Sequence, residues 1–151
     1  MYAKIINNRV VAYPYGLPEL QRDFPNTSFP TPMTNSEYLS YDVYPVTPRN
    51  PPSYNEVTQN CNRINPTLEG GAWVETWQVT PATAEEIKAR TDQKADQVRS
   101  ERNYKLSQSD WTQLPDAPVD HQVWATYRQQ LRDITDQPGF PLNVIWPIPP
   151  Q

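Results

Sequence analysis

Short apolar runs broken by prolines fill the first half of the chain, and a long charged run free of proline and glycine opens the second. Residues 2–6 (Tyr-Ala-Lys-Ile-Ile) and 9–13 (Arg-Val-Val-Ala-Tyr) flank Asn7 and Asn8. Asparagine tolerates positive φ, so this pattern predicts a β-hairpin. Pro18 suits the first turn of a helix and Pro25 stops it, which predicts one or two helical turns between them. Residues 25–33 carry Pro25, Pro30 and Pro32 and are expected to run extended or to turn. Thr34 and Glu37 have capping-box spacing, so a second short helix is expected to end near Tyr41. Residues 43–46 read as an edge strand, because Pro45 lacks the N–H that a central strand needs. Residues 47–53, with Pro48, Pro51 and Pro52, read as an extended linker or arm. Residues 57–80 predict a second hairpin, with Gly70 and Gly71 in its loop and Trp73, Trp77 and Val79 on one face.

The texture changes at Pro81. No proline or glycine occurs from there to Pro115, and Thr83 with Glu86 repeats the capping-box spacing. Residues 84–102 hold five acids and five bases, among them the helix-compatible pairs Glu86 with Arg90 and Asp96 with Arg99. The apolar stripe is thin: Ile87, Ala95, Val98 and Leu106. This predicts a long, well-solvated helix. A loop over 109–119 is expected to be anchored by Trp111 and Leu114. Asp120 then caps a second helix on which Val123, Trp124, Tyr127, Leu131 and Ile134 recur at helical spacing. The two helices make a helical hairpin. Trp111, Leu114, Trp124, Tyr127, Leu131 and Trp146 are expected to form its core.

Composition sharpens this picture. Hydrophobic residues make up 36% of the chain, and 18 prolines stand against four glycines. A proline-rich, glycine-poor chain forms stiff extended segments that bury little against themselves. Five Trp, nine Tyr and three Phe argue for order, since disordered segments are poor in aromatics. The net charge of -4 argues against nucleic acid as the partner. No apolar run approaches the length of a membrane span, and the apolar stretch after Met1 is too short for a signal peptide, so neither a membrane nor export is expected.

Candidate chemistry is sparse. His121 stands alone, without cysteine partners, in the first turn of the second helix. No nucleophile motif and no phosphate-binding loop occurs. Asp110, Asp116 and Asp120 read as turn and cap residues. The chain is therefore expected to be no enzyme and to hold no metal or cofactor. Cys61 excludes an internal disulfide; it reads as a small strand residue or as the site of an intermolecular disulfide. What remains is binding surface. Aromatics interleave the prolines of residues 24–52, and Phe29, Tyr38, Tyr41 and Tyr44 are candidate partner-binding residues, unless they pack on the N-terminal hairpin.

The last third carries a more specific signal. Residues 109–116 read Ser-Asp-Trp-Thr-Gln-Leu-Pro-Asp. Trp124, Tyr127, Arg128, Leu131, Arg132, Asp133 and Ile134 follow, then Gly139-Phe140-Pro141 and Trp146-Pro147. This ordered series, over residues 99–147, resembles the phage tail assembly chaperone-like domain. Residues 20–30 and 43–46 are similar, more weakly, to a segment of small structural proteins of phages. Neither resemblance brings catalytic residues.

The expected fold is α+β. Residues 1–80 form a small β-hairpin module with proline-rich extended arms, and residues 81–151 form the helical hairpin. The resemblance implies a protein that binds other phage tail proteins, as a tail-fibre or baseplate component, with homo-oligomers in view. The alternative is an assembly chaperone absent from the mature virion. Either would act in the host bacterial cytoplasm during assembly, and the first would then reside in the virion tail.

Overall fold

The computed structural model describes residues 1–150. It divides into two compact units, one over residues 1–81 and one from Ala82 onward.

The first unit is built on a single five-stranded sheet. Strands β1 (Tyr2–Ile6) and β2 (Arg9–Tyr15) pair as a hairpin, and Asn7 and Asn8 turn it with φ of 51° and 58°. Positive φ at both central residues is what a tight hairpin turn demands. Helices α1 (Leu17–Asp23) and α2 (Asn35–Leu39) follow. The Glu19 carboxylate accepts from the Gly16 N–H at α1, and Thr34 and Glu37 cap α2 reciprocally. Strand β3 (Val43–Thr47) comes next, then β4 (Gln59–Glu69) and β5 (Ala72–Pro81), the second hairpin, turned by Gly70 and Gly71 at positive φ.

The strand order is β2-β1-β3-β5-β4, which corrects the expected small hairpin module. β3 joins the two hairpins, pairing antiparallel with β1 and parallel with β5. It is thus the central strand and not an edge. Pro45 is tolerated there for a geometric reason. The Val46 N–H donates to the Met1 carbonyl on the β1 side, so the Pro45 nitrogen faces the other way. Pairing with β5 begins only at Val46, so no donor is missed at Pro45. The sheet also curls, and its outer strands β2 and β4 approach each other.

The expected arms are not free. One apolar cluster lies inside the curl: Ala3, Ile5, Val46 and Trp73, with Tyr13 and Tyr44 against it. The other lies under α1 and α2: Tyr15, Leu20, Tyr38 and Val43, with Phe29, Met33 and Tyr41 packed on it. Residues 24–33 therefore cover the sheet. Tyr41 receives Phe24 and Phe29 edge-on at 5.2 and 5.3 Å, and Tyr2 stacks on Tyr38 at 4.2 Å. The stretch after β3 is held by Arg49. Its guanidinium grips both carboxylate oxygens of Glu69 at 3.1 and 2.6 Å, and its carbonyl accepts from the Trp77 indole at 2.7 Å.

Trp73, Glu75 and Trp77 alternate along β5 onto one face, which puts a carboxylate inside the curl. Glu75 is buried and fully engaged. It accepts from Tyr13 Oη at 3.0 Å and from the Arg49 N–H at 3.2 Å, and Arg63 Nε stands 2.7 Å away. Burial and the bond to Glu75 push the Tyr13 hydroxyl above its ordinary pKa. Cys61 lies mid-strand in β4 opposite Val79, half-buried, with its thiol free.

The second unit is helical: α3 (Ala84–Gln108), a 3-10 turn (Asp110–Gln113), α4 (His121–Arg132) and a second 3-10 turn (Asp133–Asp136). Thr83 and Glu86 cap α3 reciprocally. Its exposed faces carry ion pairs such as Arg99 with Asp96 and Lys105 with Glu101, while Ala95 and Val98 are its buried residues. Among the described residues no helix is long and apolar enough to cross a membrane.

Candidate functional site

The second unit presents an aromatic face whose geometry follows from what its core takes in. Along α4, Tyr127, Arg128 and Leu131 are buried, and Ile134 follows them into the interior. Asp120 caps the helix by accepting from the Gln122 and Val123 N–H groups at 3.0 and 3.2 Å. Arg128 reaches the C-terminal end of α3. Its guanidinium donates to the Leu106 carbonyl at 2.7 Å, to Ser109 Oγ at 2.8 Å and to Asp110 Oδ1 at 2.7 Å. A cation at the carbonyl end of a helix satisfies orphan acceptors and suits the helix dipole. Arg128 Nε is buried without a hydrogen-bond partner.

The 3-10 turn decides where Trp111 goes. Thr112 is fully buried, its hydroxyl donating to the Ser109 carbonyl at 2.7 Å. The Thr112 carbonyl meets His121 Nδ1 at 3.0 Å. With Thr112 turned inward, its neighbour Trp111 turns outward. Trp111 is 49% exposed and Leu114 55% exposed, which removes both from the expected core. Trp124 and Trp146 are half-buried. The interior is made instead by Ala95, Val98, Thr112, Tyr127, Leu131 and Ile134.

Outside this interior the aromatics form a surface. Trp111 and Trp124 lie 6.1 Å apart between ring centroids, and Tyr127 meets Trp124 edge-on at 5.7 Å. Exposed Tyr104 and Val123 extend the patch, and Leu114, three residues after Trp111, is exposed as well. Residues 143–150 form a strap whose Pro149 and Pro150 stand beside Trp124. The Gln137 side chain donates to the Ile145 carbonyl at 2.8 Å and accepts from the Ile145 N–H at 2.7 Å. Lys105 sits over the Trp146 ring at 5.2 Å. A cavity of about 570 Å³ opens where the strap leaves the turn, lined by Gln137, Pro138, Gly139, Asn143, Ile145 and Trp146. A hollow of about 530 Å³ lies between Trp111, Val123, Trp124 and Pro150. A smaller one of about 180 Å³ lies between Tyr104, Trp124, Tyr127 and Pro149.

Gly139 makes the bend that starts the strap possible. A Cβ there would stand 1.9 Å from the Asn143 carbonyl oxygen, whose own residue donates its N–H to the Gly139 carbonyl.

The partner-binding residues expected from the sequence lie elsewhere and point inward. Tyr38 is buried, and Phe29, Tyr41 and Tyr44 are half-buried against the two clusters of the sheet. They are core and lining of the first unit, because the proline-rich stretches fold onto it. Among the described residues no group of three or more His, Cys, Asp or Glu side chains could hold a metal ion.

The second unit is thus a small helical scaffold with Trp111 and Tyr104 on its outside. The family model of the phage tail assembly chaperone protein matches residues 95–151, and these residues form a phage tail assembly chaperone-like domain. No curated protein and no solved structure matches the chain. The matched segment spans the second half of α3, the 3-10 turn, α4 and the strap, which together build the whole aromatic face.

Proposed function

We propose that the protein is a phage tail assembly chaperone that holds another tail protein on the aromatic face of its second unit. The observation that carries this reading is the coincidence of the family match with that face: Tyr104, Trp111 and Val123 are all exposed along the hollows beside Trp124. Contiguous exposed apolar surface marks a site of association, and aromatics supply much contact area for little lost side-chain freedom. The family's name favours the assembly role over that of a tail-fibre or baseplate component.

Mass spectrometry of gradient-purified particles, beside crosslinking in infected lysate, tests it. The chain is expected to be crosslinked to a tail protein in lysate and missing from particles. A defined copy number in mature particles would overturn the chaperone reading in favour of a structural subunit.

A further inference from the structure

The strap shows what kind of ligand the aromatic face accepts. Residues 145–150 read Ile-Trp-Pro-Ile-Pro-Pro. Three of these six lack a backbone N–H, which leaves few donors for a β-ladder and favours an extended segment. Its two last prolines line two hollows that share Trp124. Pro149 lines the hollow with Tyr104 and Tyr127, and Pro150 lines the hollow with Trp111 and Val123. Proline-rich segments dock into aromatic-lined grooves in this way, because their extended form costs little entropy to fix.

The strap is also poorly held. Gln137 clamps the backbone of Ile145 and Lys105 sits over the Trp146 ring, but past Ile145 no hydrogen bond ties residues 146–150 among the described residues. Ile145 and Ile148 are 81% and 88% exposed. The hollow beside Pro150, about 530 Å³, is far larger than one proline ring. A weakly tethered segment that underfills its groove is readily exchanged for a better one.

We infer that the groove beside Trp124 is a recognition site for a proline-rich extended segment of the held tail protein, with the chain's own residues 145–150 occupying it until that segment arrives. The inference deepens the chaperone reading and takes its partner from it. The groove's ligand class, however, is testable on the protein alone.

The probe is a fluorescently labelled synthetic peptide with the sequence of residues 143–150, titrated by anisotropy against the full chain. Its competitor in wild type is the tethered strap, which lowers apparent affinity by the fraction of groove left open. Gln137→Ala and Ile145→Pro each remove part of the clamp by an independent route. Either is expected to tighten peptide binding about tenfold. Adding Trp111→Ala should abolish that binding while lowering the thermal midpoint far less than Leu131→Ala does, since Trp111 lies outside the core. Equal binding by wild type and both clamp variants, or none by any, overturns the inference. So does equal binding of a peptide whose prolines are replaced by alanine. Concentration-dependent dimers of the clamp variants in sedimentation, with the added peptide unable to dissociate them, would assign the groove to a second copy and overturn it too. Finding the chain inside mature particles would sink the chaperone reading and leave the peptide result standing.

Discussion

The two units spend similar aromatic side chains in opposite ways. In the first, Tyr15, Tyr38 and Trp73 are buried, and Phe29, Tyr41 and Tyr44 lean on them, so proline-rich stretches that look free in sequence become the lining of a curled sheet. In the second, Leu131, Ile134, Ala95 and Val98 fill the interior with a single buried ring, Tyr127, among the described residues, and Trp111 and Tyr104 are left in solvent. A residue's size and apolarity do not say on which side of the backbone it ends. The neighbours decide. The sheet has two faces to cover and takes in most of the rings nearby, whereas two helices and a 3-10 turn enclose only a narrow seam.

The sharpest way to test that division is to empty both interiors. Leu20 and Leu131 are fully buried, one in each unit. Truncating either to alanine is expected to cost about 2–5 kcal/mol, a large share of a small unit's stability. If the units are separate cores, urea unfolding followed by amide NMR should show Leu20→Ala loosening the first unit and Leu131→Ala the second. Loss of both units together from one substitution would show a single cooperative core.

Each unit also buries one charged side chain, and these give the next largest effects. Glu75→Ala leaves Arg63, Tyr13 and the Arg49 N–H without their acceptor and is expected to cost about 1–3 kcal/mol. Arg128→Met strips the cap from the end of α3 but also removes the unpaired Nε, so its cost should be the smaller of the two in the same denaturation experiment.

These two residues also show where reading the sequence stops short. Helix and strand boundaries, the Asn7-Asn8 and Gly70-Gly71 turns and the Thr34, Thr83 and Asp120 caps are local, and local residue types announce them. Glu75 and Arg128 were missed although a signal was present. Glu75 alternates with Trp73 and Trp77, and Arg128 lies four residues after Trp124 and three before Leu131, so each occupies a buried-face position by periodicity. Counting apolar residues alone passes over a polar one at the same phase. Pro45 misled for the converse reason, since its missing donor matters only where a neighbouring strand asks for it, and β5 begins one residue later. The outward turn of Trp111 had no sequence signal, because it follows from Thr112 winning the inward place in a 3-10 turn.

A pH series sharpens the contrast from the side of the first unit. Asp23 accepts from the Tyr15 hydroxyl at 2.7 Å and from Lys4 Nζ at 3.1 Å, and these bonds hold its carboxyl below the usual range. A folded-state pKa depressed below the unfolded one stabilises above the unfolded value, and that stability is lost as pH falls through the folded value. Thermal midpoints of wild type and Asp23→Asn should therefore differ near neutrality and converge in acid. A constant gap across the series would show that the carboxylate's charge is not what pins α1 to the sheet.

The smallest expected effect bears most directly on function. Leu114 is 55% exposed, so Leu114→Ser should change stability by no more than about 0.5 kcal/mol, as surface substitutions do. In a buried leucine the same change would cost several times more. Measured beside Leu131→Ala, it separates surface from interior within one short stretch of chain. Leu114 follows exposed Trp111 by three residues but lines neither hollow beside Trp124, so on the chaperone reading Leu114→Ser should weaken crosslinking to the tail protein in lysate while leaving binding of the 143–150 peptide unchanged. A stability loss as large as that of Leu131→Ala would return Leu114 to the core and shrink the face available to a partner.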